Sequence, residues 1–340
     1  MVVPASDALL YCSGGERSAH FSTWISTLSA TLETCVKVGP SCPPRCPVAL
    51  VEVERSCFLI MDGTKRVVLI TGCGKGGIGY EYCKAFASHG CYVFASDLPD
   101  RLHDLADLNS ENVEPLELDV SSDESVAAAV SEVLASRGRI DVLVNNAGVG
   151  STGPLAELNL DEIRRAWEVN ALGQVRLVQA VAPRMAARRS GRIVNVGSVV
   201  GAVATPWAGS YCATKAAVDA MSDALRVELR PFGVHVIKVV PGAVRSGLGR
   251  ANAERLAARS WRLYEGFEDA IAGRAGASQV GRATEPGVLA RHVARRVLSP
   301  RPPRAIVFGH MTGLFAALAW SPLWLRDWFF AKRFGLDKKL

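Results

Sequence analysis

From Val67 onward, short uninterrupted apolar runs alternate with longer helical stretches. The runs are "RVVLITG", "CYVFASD", "VEPLELDV", "IDVLVNNAG", "GRIVNVGS" and "VHVIKVVPGAV". Between them lie segments such as "SDESVAAAVSEVLAS", "LDEIRRAWEVNALGQVRLVQAVAPRMAAR" and "YCATKAAVDAMSDALRVELRPFG". A strand that is apolar throughout must be covered on both faces, and parallel strands joined by crossover helices meet that need. The pattern predicts an α/β fold, a Rossmann-type doubly wound parallel sheet with helices on both faces. With 340 residues, 49% of them hydrophobic, the chain has ample core for one such domain. "SSDES" before an Ala/Val run supplies Ser and Asp to cap a helix start.

The domain is expected over residues 61–309, with an extension at either end. Residues 1–60 are rich in Ser, Thr, Cys and Pro and lack sustained periodicity. They also lack the basic-then-apolar layout of a secretory signal. "MDGTKRVVLITG" reads like the natural start of a compact domain, so Met61 is expected to be an alternative or true initiation site. The net charge of +6 is modest and its basic residues are scattered, which suits solvated helix faces. No nucleic-acid motif is found. Cys42 and Cys46 are followed by no paired histidines, so no metal site is expected. Cys73, Cys83, Cys91 and Cys212 fall in probable core elements and read as reduced thiols of a cytosol-facing protein.

The stretch "LITGCGKGGIGYEYCKAF" turns from a strand through five glycines into a helix. Free backbone N–H groups and the positive end of the helix dipole then favour a pyrophosphate. Gly72 makes the turn, Gly77 permits close phosphate approach beside Ile78, and Gly79 lets the helix pack on the strand. Asp97 ends the next strand, twenty residues after Gly77. A carboxylate there accepts from ribose hydroxyls and repels a 2′-phosphate, favouring NAD(H). Lys75 and Arg101 point the other way, toward NADPH.

"YCATK" places Tyr211 and Lys215 four apart, on one face of a helix. A neighbouring ammonium and a cationic nicotinamide would lower the phenol's affinity for its proton. Tyr211 could then exchange that proton with a carbonyl or alcohol oxygen. Ser198, thirteen residues earlier at a strand end, could polarise the same oxygen. Asn170, inside a helix, could hold a water joining Lys215 to solvent.

Taken together, "TGCGKGGIG", "LDV" with Asp119, "NNAG" at Asn145–Gly148, Asn170, "NVGS" with Ser198, "YCATK" and "PGAVRS" at Pro241–Ser246 resemble the classical short-chain dehydrogenase/reductase family over roughly Lys65–Gly309. The resemblance implies an NAD(P)(H)-dependent enzyme acting on a carbonyl or secondary alcohol. It implies catalytic Asn170, Ser198, Tyr211 and Lys215, with Tyr211 and Lys215 also at the cofactor. By the same resemblance Asp119 and Val120 flank adenine, Asn146, Ala147 and Gly148 lie beside the cofactor, and Pro241, Gly242, Val244 and Ser246 meet the nicotinamide. The glycine corner carries one residue more than the family's commoner T-G-x₃-G-I-G. That insertion, the "GSYCATKAAV" and "LRVELRPFGV" contexts and the tail resemble the subgroup of 1-acyl-dihydroxyacetone phosphate reductases, which use NADPH. "SDLPDR" after the second strand departs from that subgroup. A steroid or retinoid is the second substrate class. The family often forms homodimers or homotetramers.

Residues 247–285 read as a substrate lid, in which Trp261, Tyr264 and Phe267 either face the pocket or serve as ordinary helix packing, and Trp207 reads as a pocket residue. The end, "MTGLFAALAWSPLWLRDWFFAKRFGLDKKL", carries three of the seven tryptophans among basic residues. Residues 310–340 are therefore expected to form an amphipathic tail apart from the catalytic centre. Such a tail would lie on a membrane or lipid-droplet surface, for instance the cytosolic face of the endoplasmic reticulum, or pack as a helix on the domain. A non-catalytic nucleotide-binding membrane scaffold is the competing class, and it would need no Tyr–Lys pair. No G-x-S-x-G elbow marks a serine esterase.

Overall fold

The computed structural model describes residues 65–337, apart from 109–110, 257–258 and 280. The expected extension over residues 1–60, and Met61 as a start, lie outside the described residues.

Seven strands form one parallel sheet: β1 (Val67–Thr71), β2 (Tyr92–Asp97), β3 (Val113–Glu117), β4 (Val142–Asn145), β5 (Gly191–Val196), β6 (Val234–Pro241) and β7 (Ala305–Phe308). Their order across the sheet is β3-β2-β1-β4-β5-β6-β7. The chain builds outward from β1 in one direction, returns, and builds outward in the other. The crevice is thus set where the order reverses, at the carboxyl ends of β1 and β4. Pro115 lies in β3, an edge strand, where its missing N–H costs no ladder bond on the open side.

The helices are α1 (Ile78–Ser88), α2 (Asp123–Arg137), α3 (Leu160–Trp167), α4 (Gly173–Ala187), the single turn α5 (Val199–Ala202), α6 (Gly209–Glu228), α7 (Gly247–Leu256), α8 (Glu268–Ala275), α9 (Pro286–Leu298), α10 (Thr312–Trp320) and α11 (Leu323–Phe334). The period-two alternation of each strand divides the core. Val68, Ile70, Val144 and Val194 face one way, onto Phe86 of α1 and Leu289 and Val293 of α9. Leu69, Leu143, Ile193 and Val236 face the other, onto Val130 and Val133 of α2 and Leu177 and Val181 of α4. Both faces are therefore covered, as continuous apolar strands require.

Local signals set the boundaries. Ser122 caps α2, its side chain accepting from Ser125 N at 3.1 Å, and Gly138 ends the helix in the left-handed region at φ 71°. The long helical segment after Leu160 is broken: residues Glu168–Leu172 form a π turn between α3 and α4. Such turns shift the side chains that follow and recur at functional sites. Cys73, Cys83, Cys91 and Cys212 are buried and unbridged.

Candidate active site

A cleft of about 1160 Å³ runs along the carboxyl edge of the sheet. It gathers Gly72, Lys75, Gly77, Ile78, Asp97, Asp119, Val120, Asn146, Ala147, Gly148, Ser198, Tyr211, Lys215, Pro241, Gly242, Val244 and Ser246. Gly79 and Asn170 lie behind its wall, both buried.

At one end the glycine corner forms a cradle. Gly72 sits at φ 70°, and a Cβ there would come within 2.7 Å of Ala147 Cα. The corner is held from below by β4: Thr71 Oγ1 accepts from the backbone N–H groups of Asn146 (3.1 Å) and Ala147 (3.0 Å), and Asn146 Nδ2 donates to Gly72 O at 3.0 Å. A side chain at Gly79 would overlap Gly72 O, so that position is glycine for helix–strand packing. Gly77 begins α1 with no side-chain cap, and Gly77 and Ile78 face the cleft. An uncapped helix N-terminus opening on a glycine cradle fits a nucleotide pyrophosphate. The extra residue of the loop is accommodated by Gly76 at φ 80°, whose carbonyl accepts from Gly247 N at 3.1 Å. The loop after β6 is thereby tied across the cleft to the glycine corner.

Asp97 lies in the cleft beside the glycine corner, 8% exposed, with Oδ2 accepting from Gly74 N at 2.5 Å and Oδ1 from Leu98 N at 2.9 Å. Both neighbouring cations have acidic partners. Lys75 pairs with Asp107, which raises its proton affinity, and Arg101 bonds Asp104 through Nε (3.2 Å) and Nη2 (2.7 Å). The Asp119 carboxylate is engaged locally, accepting from Ser121 N (2.8 Å) and Ser121 Oγ (2.6 Å) in the turn before α2.

At the other end, α6 presents Tyr211 and Lys215 beside Ser198, which caps α5 by accepting from Val200 N at 3.4 Å. Lys215 is buried and donates to Val196 O at 2.9 Å, with Nζ 5.7 Å from the centre of the Tyr211 ring. The sequence predicts that this ammonium, together with a cationic nicotinamide, pulls the phenol's proton affinity down. Within the protein's own atoms the balance goes the other way. Burial pushes Tyr211 up to about 12, and the cation opposing that rise is Arg274. Burial also pushes Lys215 down to about 8, with Asp219 one turn along α6 resisting the fall. The reason is desolvation: both groups are taken out of water, which disfavours the charged form of each.

Asn170 sits in the π turn. Its Oδ1 accepts from Val149 N at 2.7 Å, and its Nδ2 donates to Val149 O (2.9 Å) and to Thr214 Oγ1 (3.1 Å). It clamps the loop after β4 to the residue preceding Lys215. Gly148 is pinned in the same corner, where a Cβ would stand 3.3 Å from Asn170 Oδ1 and 3.9 Å from Lys215 Nζ.

The far wall departs from expectation. Trp207, read as a pocket residue, is buried away from the cleft at φ 63°, stacked edge-on with Tyr264 at 5.2 Å and packed with Leu158 and Trp261. Trp261, Tyr264 and Phe267 are likewise packing residues under α8. The pocket beyond Tyr211 is lined instead by Phe315, Phe329, Phe330 and Phe334 of α10 and α11, with Met311. Phe315, Leu318 and Phe330 bury themselves against Val199, Val200, Val203 and Cys212. The tail is thus a wall of the site, not a segment apart from it. In α11 the spacing held that signal, since Phe330 and Phe334 fall away from the face of Trp324 and Trp328; α10 is apolar all round.

The short chain dehydrogenase family profile matches residues 66–262. A short-chain dehydrogenase of Penicillium ochrochloron is 36% identical over 277 residues, 80% of this chain and 99% of that protein. Human 17-beta-hydroxysteroid dehydrogenase type 1 is 40% identical over 192 residues, 54% of this chain and 58% of that protein. Among solved structures, a short-chain dehydrogenase/reductase of Burkholderia phymatum in complex with NAD superposes with a TM-score of 0.63 at 26% identity, covering 75% of this chain and 92% of that one. Serine dehydrogenase complexed with NADP⁺ does so with a TM-score of 0.62 at 26% identity, covering 72% and 95%.

Proposed function

This chain belongs to the short-chain dehydrogenase/reductase family, and on that premise we propose that it interconverts a ketone and a secondary alcohol on a lipophilic substrate. It is an NAD(P)(H)-dependent oxidoreductase of CH–OH groups. The observation that carries the reading is one cleft with a glycine cradle at one end, Ser198, Tyr211 and Lys215 at its middle, and a phenylalanine wall beyond.

When bound, the nicotinamide supplies or receives the hydride. Gly72, Gly77 and the α1 N-terminus hold the pyrophosphate, Asp97 the adenosine ribose, and Val244 and Ser246 the nicotinamide end. Tyr211 holds the proton that a carbonyl oxygen must gain. Ser198 Oγ stabilises the charge that develops on that oxygen. Lys215, one turn along α6, replaces the proton that Tyr211 gives up. Asn170 positions this helix by fixing the loop at Val149 against Thr214, rather than by pointing its amide into the cleft.

We infer a preference for NAD(H), because Asp97 faces the adenosine end while Lys75 and Arg101 are occupied by Asp107 and Asp104. For the substrate, 1-acyl-dihydroxyacetone phosphate and similar acyl ketones are the first candidates, supported by the aromatic wall. Steroids are second, supported by the human relative. The outer faces of α10 and α11 support a membrane or lipid-droplet surface as a further partner: Trp320, Leu323, Trp324 and Trp328 are more than half exposed there. No described helix is long and apolar enough to cross a membrane. The test is a screen of lipid ketones with NADH and NADPH, read at the nicotinamide absorbance. Oxidation of reduced cofactor with at least one such ketone supports the reading; none with any member, by protein that binds cofactor, contradicts it.

A further inference from the structure

Several arginines line the cleft without an ion pair among the described residues, namely Arg165, Arg255, Arg274 and Arg333, and of these only Arg274 is half-buried. It lies in the last turn of α8. Its Nε donates to Thr205 Oγ1 at 2.9 Å. Thr205 is itself buried in the loop between α5 and α6, with Oγ1 3.9 Å from Cys212 Sγ, next to Tyr211 in the chain. That bond holds the guanidinium at the cleft wall, near enough for its charge to oppose the rise of Tyr211, and no ion pair of Arg274 occurs among the described residues. The contrast within the cleft is plain: Arg101, at the adenosine end, is bound by Asp104. The nearest acid on the same helix, Asp269, is exposed and also lines the cleft, but makes no ion pair with Arg274.

Partly burying a guanidinium without a carboxylate costs free energy that a ligand can return. The free edge of an arginine fork matches two oxygens of a carboxylate or phosphate, and its strength rises where water is displaced. The wall formed by Phe315, Phe329 and Phe330 suits hydrocarbon, with Arg333 of α11 as a second cation lining the cleft. Resting on the ketone reading above, we propose that Arg274 anchors an oxyanion, carboxylate or phosphate, carried by the substrate. The substrate is then an acidic amphiphile: its carbonyl at Tyr211, its anionic group at Arg274, its hydrocarbon against the phenylalanines. This separates acidic acyl ketones from neutral steroids.

The anchor is testable by binding alone. Calorimetry on the protein saturated with NADH would compare a medium-chain 4-oxo acid with its methyl ester, and the phosphate ester of a long-chain hydroxyketone with its parent alcohol. The wild type should bind the anionic member of at least one pair about tenfold more tightly, the size of a charge-assisted hydrogen bond. Arg274→Gln should erase that ratio, and Arg274→Lys should keep part of it, more for phosphate than for carboxylate. The pair that shows the ratio identifies the oxyanion. Equal affinities within both pairs, or an unchanged ratio in the Gln variant that still binds NADH, would overturn the anchor. Turnover of the same compounds is scored separately. An acid held through Arg274 but never reduced contradicts the ketone reading and leaves the anchor standing.

Discussion

Tyr211 is a phenol held in its protonated form by burial, and that sets the sign of the pH dependence. Ketone reduction needs the proton present; alcohol oxidation needs it gone. Reduction should therefore stay flat through neutral pH, while kcat/KM for oxidation climbs with pH, by up to about tenfold per unit while Tyr211 remains mostly protonated. Removing the Arg274 charge should move the oxidation profile to higher pH. Steady-state profiles in both directions check this, and an oxidation rate already level at pH 6–8 would contradict it. Asp97 carries the second residue-scale prediction. Asp97→Asn removes the charge and keeps one acceptor oxygen, enough for either Gly74 N or Leu98 N. Its ratio of kcat/KM should shift toward NADPH by roughly tenfold, corresponding to about 1.4 kcal/mol of lost repulsion. A wild type that already prefers NADPH strongly would contradict the reading of Asp97. At this scale the glycine corner, Asp97, Ser198, Tyr211 and Lys215 were legible because each is tied to a short local pattern. Arg274 was not: it lies 63 positions after Tyr211 and only the tertiary fold brings it near.

Among the elements, the strands and their covering helices follow from the alternation of apolar runs, since strands covered on both faces leave few other arrangements. The π turn at Glu168–Leu172 was hidden, because nothing in its side chains forbids an ordinary helix; the constraint is the Asn170 clamp onto Val149 and Thr214. The tail was half legible. Its amphipathic character was evident, but which face met the domain depended on the apolar surface of α5 and α6, 100 or more residues earlier. Because Phe330 of α11 is buried among those residues, Phe330→Ala should destabilise the tail's packing by about 3 kcal/mol. It should also raise KM for a long-chain ketone more than for a short one. Thermal melts and a chain-length series measure both; unchanged chain-length dependence would show that the tail is no part of the substrate wall.

For the whole molecule, the outward tryptophans and the catalytic cleft belong to opposite faces of the same two helices. Replacing Trp320, Trp324 and Trp328 with glutamine should leave the fold intact, since those rings are exposed, but should abolish sedimentation with anionic liposomes. Wild-type protein that stays in the supernatant would contradict a lipid-facing surface and favour a second protein on that face. The central claim is that one cleft carries both the nucleotide and the proton transfer. Tyr211→Phe tests it most directly, with NADH binding followed by fluorescence and ketone reduction by absorbance on the same sample. The phenylalanine removes one hydroxyl from the cleft and leaves the glycine cradle untouched. Cofactor affinity should stay within a few-fold of wild type while turnover falls by about a hundredfold or more. Turnover near the wild-type level, with cofactor bound, would contradict the account.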